Sequence, residues 1–315
     1  MPTPPLPSFL RQVGLAKEPS WATVTAPTTA DQFVPIMNAK YEDVIESVLI
    51  QPFVSRASLD QNFAQGFRYG KYSFETFAYP DVAGNLLMGI MGSDGWASAS
   101  THPLTVLNTA LPPSYSIQDF YGLSGTHTRS FNGSYCESIQ LSAATAGPVK
   151  MTCSYLGKFG ALVAKPTGTY TTLQPVIPWQ GALTLNSALS TTLIQFDLTL
   201  KRSVEGIQAM GVQDISAAFS GSLEVTGKMV FVPTDDTEYL LYSNTGQAQF
   251  PLSLVFTSGS NTITISCTKT NFETPTTLDM GPYLKTAVSF RAIDNATDAG
   301  ATKITIVGGK AGSAY

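Results

Sequence analysis

The sequence predicts a mainly β protein: two similar β-sandwich or barrel-like domains in tandem, each with one short flanking helix. Three observations carry this. Two stretches repeat one order of signals: residues 66–92 (GFRYGKYSFETFAYPDVAGNLLMGIMG) and 221–243 (GSLEVTGKMVFVPTDDTEYLLYS) each pass from a Gly through an alternating run to a proline, an Asp and a paired Leu-Leu. The composition is rich in Thr, Ser, Gly and aromatics and only 13% charged, which suits strands and turns. Apolar residues recur at every second position in several further runs.

Each repeated stretch reads as strand, breaker and helix. Tyr69, Lys71 and Ser73 share one strand face and Tyr72, Phe74 and Thr76 the other, and Leu223 and Val225 share a parity in the same way. Pro80 and Pro233 end the ladder because proline has no N–H to donate. Asp81 in the first copy, and Thr234 or Asp235 in the second, suit the N-cap of the helix that follows. Val82, Leu86 and Met88, or Tyr239 and Leu240, supply its apolar face, which must pack on the adjacent sheet because so short a helix is unstable alone.

Taken in order, residues 1–30 hold many prolines and threonines without periodicity and read as an extended N-terminal arm. Trp21 within it is either an anchor on a neighbouring surface or a lid on its own domain. The first domain spans 31–163. It opens with a strand or strand pair at 33–50, continues through an irregular segment at 51–65, which separates two strands of a long hairpin, and is loop-rich at 93–113. A strand at 114–120 follows, then a hairpin of 137–141 with 149–155, where Val149, Met151, Cys153 and Tyr155 alternate with polar residues. Residues 164–175 (AKPTGTYTTLQP) form a linker. The second domain, 176–315, repeats the order: a strand at 193–200 with Phe196, Leu198 and Leu200 on one face, an irregular counterpart at 201–217, a strand at 261–268, and a hairpin of 287–292 with 303–307 around DNATDAG. Repeats with a period of 20 to 50 residues are absent, so a solenoid or propeller is excluded.

The chemistry-bearing residues are sparse. Lys and Arg total 18 against 22 acids, a net charge of -4, and no basic run offers phosphates a footprint. The two histidines, His102 and His127, lie in turn-like contexts away from metal-ligand spacing. The tightest acidic pair, Asp235 and Asp236, suits a metal or a glycosidase pair, but it also suits the first turn of a helix, where the dipole favours negative charge. MGSDG at 91–95 lacks the Lys-Ser/Thr ending of a phosphate loop. No enzymatic activity, cofactor or metal is expected. Phe67, Tyr69, Tyr72 and Phe74 lie within a strand and read as core or subunit contacts rather than a sugar platform.

Three cysteines fit a reducing compartment. A cross-strand Cys136–Cys153 disulfide is open to them if the turn at 144–147 closes a hairpin, and buried free thiols are the plainer reading. The N-terminus (MPTPPLPSFLRQ) lacks the basic start and apolar core of a signal peptide, and no apolar run approaches the roughly 20 residues of a membrane span, so the chain is expected to be made and kept in a cytoplasm.

Several quoted motifs occur in a familiar order: EPSWATVTAPTTADQFVPI, the strand, proline and Leu-Leu helix of 66–92, THPLTVLN, SYCESIQLSAATAGPVKMTCSYLGK and FDLTLKRSVEGIQAMGVQDISAAFSGSLEVTGKMVFV. Over residues 14–292 the chain resembles the tail tube (major tail) proteins of long, non-contractile-tailed bacteriophages. The resemblance implies a structural virion protein whose sheets join edge to edge into rings that stack as a tube, the conduit for DNA ejection. It implies trimeric, pseudo-hexameric rings for a duplicated chain, with a hexameric ring as the alternative. It implies the tape measure protein and tail terminator or tip proteins as partners, and DNA passing through the lumen without specific binding. No immunoglobulin-type Cys and Trp spacing follows residue 292. The mildly acidic chain fits such a conduit, since neutral or acidic walls do not hold phosphates within a Debye length of about 8 Å. The rival readings are a β-sandwich adhesin or carbohydrate-binding module and, third, a glycosidase, for which no carboxylate pair is nominated. Phe53, Phe63, Ile207 and Met210, in the irregular segments, are the candidate ring-stacking contacts, with capping of their own sandwiches as the other reading. Deleting 205–215 is expected to leave a soluble, folded protein that forms no tubes in negative stain, and normal tubes would sink the assignment.

Overall fold

Period-2 apolar alternation broken by Gly and Pro gives a chain of antiparallel strands with two helices among the described residues. The computed structural model describes residues 8–50, 62–96, 100–121, 128–243, 249–273, 277–280 and 282–315. Strands β1 (Gln12–Lys17) and β2 (Phe33–Val34) pair with each other, and β3 (Ile36–Ile50) forms a long hairpin with β4 (Asn62–Phe77). Helix α1 (Pro80–Met91) follows, then the short pair β5 (Gly92–Asp94) and β6 (Thr101–Val106). Next come β7 (Tyr115–Phe120), the long β8 (Thr128–Ala144), β9 (Lys150–Gly157) and β10 (Ala161–Val163). The second half brings β11 (Ala182–Leu185), β12 (Ala188–Ser190), a second long hairpin of β13 (Leu193–Ile207) with β14 (Ala217–Phe231), and helix α2 (Thr237–Ser243). It closes with β15 (Phe250–Ser258), β16 (Asn261–Phe272), β17 (Thr277–Met280), β18 (Leu284–Ala292) and β19 (Lys303–Val307).

The main sheet runs β3-β4-β9-β8-β13-β14-β18-β17 and therefore crosses from one half of the chain to the other at β8–β13. Strand β8 serves two layers. Its first residues pair with β7 and β10, and after a bend its second half pairs with β9 and β13. Gly133 sits at this bend with φ +62, where a Cβ would come within 2.8 Å of the Trp21 indole, so both the backbone and the space require glycine. Pairing of β19 with β6 joins the halves a second time. One apolar core accordingly includes Val13, Phe74 and Ile139 from the first half and Leu198, Phe231 and Ile306 from the second.

The second half repeats the pairings of the first. Across β3-β4-β9-β8 one row reads Lys40, Ser73, Ser154, Ser138, and across β13-β14-β18-β16 the matching row reads Thr199, Thr226, Arg291, Asn271. Helices α1 and α2 follow the two hairpins in the same position. Their surroundings differ. All of α1 is buried, with neighbours that include β6, β8, β13 and β19, whereas Tyr239, Leu240 and Tyr242 of α2 are exposed and Leu241 packs on the core.

Several elements depart from expectation. Tyr79, not Asp81, is the N-cap of α1, because Pro80 fits the first helical position and favours an extended residue before it; Asp81 then accepts a bond from the Val82 N–H at 2.9 Å. Gly92, at φ +91, closes the helix with its N–H on the Met88 carbonyl. Helix α2 begins later than Thr234 or Asp235 would cap it, with the Asp236 carbonyl taking the Leu240 N–H. Part of the expected 1–30 arm is β1, whose Val13 and Leu15 are buried between β2 and β7. The loop-rich 93–113 segment contains β6. Strand β13 continues to Ile207, leaving 208–216 irregular. Strands β18 and β19 are not a hairpin among the described residues, since each pairs instead with β16.

Buried polar groups reinforce the layers. Asp119, fully buried on β7, takes two bonds from Arg11 at 2.9 and 2.5 Å and one from the Tyr72 hydroxyl at 3.0 Å. The Asp119 hydrogen bond pushes the Arg11 pKa up, so the cation stays charged. The cysteines are free and buried. The register of the β8–β9 hairpin sets Cys136 opposite Tyr155 and Cys153 opposite Ile139, so the two thiols do not face each other across the ladder. Burial raises all three thiol pKa values, that of Cys267 to about 12.

Two outcomes follow. Asp119→Ala leaves the Arg11 cation without its carboxylate and is expected to cost about 3 kcal/mol in urea unfolding. A thiol reagent at pH 8 is expected to label no cysteine of the native protein and all three after guanidinium denaturation.

Candidate functional site

The surfaces that stand out are built from strand geometry, since a hairpin longer than the layer it belongs to must project from it. The β3–β4 and β13–β14 hairpins both do so, and they lie side by side. The Arg68 N–H donates to the Gln213 carbonyl at 3.0 Å, the Arg68 guanidinium pairs with the Asp214 carboxylate, and Gln213 Nε2 donates to the Gly66 carbonyl at 3.1 Å. The loop of the second arm is thus fastened to β4 of the first.

Both arms carry apolar side chains into solvent. Ile45, Val48, Leu49, Ile50 and Phe63 are exposed on the first and Ile207, Met210, Val212 and Phe219 on the second, a concentration of apolar side chains rather than a scattering. Of the expected stacking contacts, Phe63, Ile207 and Met210 lie on these arms, and Phe53 lies outside the described residues. Sequence reasoning missed Val48, Leu49, Ile50 and Phe219. The signal was present as an apolar run at the end of a strand, but such a run reads equally as a buried strand. Trp21 is elsewhere: its Nε1 donates to the Gly133 carbonyl at 3.2 Å, the Lys158 ammonium lies 4.8 Å from its ring, and it packs beside Tyr135 and Ile215. These contacts are all with its own chain.

The main sheet turns its polar face outward. Serines and threonines such as Ser73, Ser142, Thr199 and Thr226 alternate there with charges that pair off, Lys40 with Glu42, Lys150 with Glu75, and Arg291 with both Glu224 and Glu273. The Lys40 hydrogen bond lowers the Glu42 pKa, and the bonds Arg291 donates to Glu273 and Glu224 raise its own, so Glu42 and Arg291 stay charged. Burial pushes Glu137 up, against the pull of Lys71 and Lys201. A face of mutually neutralised charges offers phosphates no continuous cationic track.

The sheet has edges with no second strand among the described residues: the outer side of β3, and the outer sides of 271–273 and of β17. Naturally occurring sheets rarely leave long edges bare without protection.

The remaining candidates have structural surroundings. His102 is buried, with Nδ1 2.8 Å from Asp94 and Nε2 donating to the Lys310 carbonyl at 2.7 Å, against the Tyr315 ring. His127 lies outside the described residues. Asp235 and Asp236 precede α2 on the surface. Tyr72 and Phe74 are core residues, and Phe67 and Tyr69 are half-buried. No group of three His, Cys, Asp or Glu is arranged to hold a metal among the described residues, and no helix there is long and apolar enough to cross a membrane. An apolar groove of about 340 Å³ beside Trp179, Leu189 and Phe256 contains no carboxylate.

A search of curated protein sequences returned no match. The family model described as phage tail tube protein matches residues 8–310, a span that takes in both hairpin arms, both helices and all the strands of the main sheet. The chain belongs to the phage tail tube protein family.

Proposed function

We propose that this chain builds the wall of a phage tail tube, with each copy supplying two adjacent sectors of a ring and the rings stacking through the paired hairpin arms. The observation that carries the reading is the placing of exposed apolar residues on two neighbouring arms of a sheet whose outer strands are unpaired. Open edges are satisfied when copies close laterally, and a heterologous contact that closes in one plane leaves the arms to join one ring to the next. The repeated pairing pattern favours three copies per ring, each counting twice, over six. DNA then passes along the polar sheet face, where paired charges and hydroxyls present little net attraction to phosphates. The tape measure protein inside the tube, and terminator and tip proteins at its ends, are the partners this role requires. The site of action is the virion tail, after assembly in the bacterial cytoplasm.

Substitution of the arm tests the stacking. Met210 is fully exposed and Val212 nearly half exposed, so Met210→Asp with Val212→Asp leaves the fold intact, with an unchanged circular dichroism spectrum and melting temperature. In negative stain the variant is expected to give single rings and few or no tubes. Tubes of normal length would remove the arms from the stacking contact.

A further inference from the structure

The chain contains one lateral joint between equivalent sectors, and it supplies a template for the two bare edges. Within the chain β13 adds antiparallel to the second half of β8, Thr199 opposite Gln140 and Lys201 opposite Ser138. The matched rows described above make Lys40 the counterpart of Thr199 and Asn271 the counterpart of Ser138. Strand β3 therefore stands to β4 as β13 stands to β14, but no strand pairs with its other side among the described residues, where the Ala39 carbonyl takes a hydrogen bond from Arg11 Nη1 at 2.5 Å. The strand ending at 271–273 stands to β18 as β8 stands to β9, and its outer side is equally bare. Each edge lacks what the other offers.

The inward side chains of β3 point the same way. Ala39 and Tyr41 occupy the positions of Leu198 and Leu200, and Ile36, which a bulge at Met37 sets opposite Thr76, occupies that of Phe196. Ile36, Ala39 and Tyr41 are half-buried where Phe196, Leu198 and Leu200 are fully buried. What covers the β13 residues is β8, and β3 has no such neighbour.

We propose that β3 of one copy adds antiparallel to the edge formed by 271–273 and β17 of a second copy, in the register that sets Lys40 opposite Glu273, Glu42 opposite Asn271 and Tyr41 opposite Phe272. The proposal rests on the tail tube reading and deepens it by naming the lateral partner, a second copy of this chain, and the residues that meet. Transposing the internal joint gives Leu200–Ile139 as the precedent for Tyr41–Phe272, an apolar pair facing the core. It also brings a lysine opposite a glutamate, a favourable cross-strand pair that a shift of one residue would break while turning the apolar face of β3 outward. The backbone addition itself is β-augmentation, in which main-chain hydrogen bonds supply the contact and side-chain register the specificity.

Two measurements test it on assembled protein. Treating wild-type tubes with a carbodiimide, which condenses an ammonium with a carboxylate in contact, is expected to give an isopeptide between Lys40 and Glu273 in tryptic peptides, absent from unassembled chains. Lys40 and Glu273 have exposed side chains, and the native thiols are buried, so the Lys40→Cys, Glu273→Cys double variant is expected on copper-phenanthroline oxidation to yield a ladder of chain multiples on a non-reducing gel. Either single variant, and the shifted pair Lys40→Cys with Asp279→Cys, should stay monomeric on that gel. Tubes that form normally yet give neither crosslink, or a ladder from the shifted pair, overturn the register while leaving the tail tube reading in place. Wild-type protein that forms no rings or tubes under any assembly condition overturns the tail tube reading and the proposal together.

Discussion

The pairing of β13 with the second half of β8 is the contact on which the rest of the molecule depends. It turns two four-stranded runs into one sheet and buries Ile139, Leu141, Leu198 and Leu200 behind the seam. Because the sheet is continuous there, α1 is enclosed by strands from both halves and is buried on every side, where a surface helix keeps a polar face in solvent. Arg202, on β13 just past the seam, makes the enclosure specific. Its Nε donates to the Ile90 carbonyl at 2.7 Å, at the C-terminal end of α1 where carbonyls lack helical partners and the dipole favours a cation, and its Nη1 donates to the Gly221 carbonyl at 2.8 Å. Burial lowers the Arg202 pKa, yet the group stays charged because an arginine begins so far above neutrality.

The same seam sets what the surface can be. A sheet that is buried on one face and exposed on the other must alternate, and every second residue of its strands is free to answer to solvent. Here that freedom is spent on Ser, Thr and charges in compensating pairs, and the low overall charge of the chain follows from it. The exposed ion pairs add little to stability, since exposed pairs contribute at most about 1 kcal/mol each. Their effect is on the potential of the face, which long unpaired lysine rows would make adhesive to polyanions.

What the sequence made legible was the part with local causes. Alternation at 72–76, 149–155 and 196–200 predicts the buried faces found there, and Pro80 marks the end of β4 and the start of α1. Elements whose partners lie far away were not legible. Strand β6 contains Pro103 and is held by β19, some two hundred residues on, so its own residues read as loop. Strands β18 and β19 look like a hairpin because they are adjacent in sequence, but β18 takes its longest register with β14 and β19 pairs with β16. The N-cap of α1 depended on the restriction proline places on its predecessor rather than on the side chain best suited to capping. For the arms, exposure is decided by how far the strands overhang the layer beneath, a tertiary quantity that a run such as Ser47–Val48–Leu49–Ile50 does not contain.

The unequal fates of the two helices complete the argument. Both follow a hairpin and a proline, and both carry Leu-Leu, but α1 has twelve residues and α2 seven. Helix α1 lies where the two halves overlap: β13 and β19 come from the second half, β6 closes against β19, and the Tyr315 hydroxyl reaches the Pro80 carbonyl at 3.3 Å while the Lys310 N–H donates to it at 2.9 Å. A helix enclosed in this way has its cost of ordering offset by burial along its whole length. Among the described residues, Tyr239, Leu240 and Tyr242 of helix α2 remain in solvent and Leu241 packs on the core. Duplicated sequence therefore does not give duplicated stability, because the first copy is built into the fold by the second and the second has no such support within its own chain.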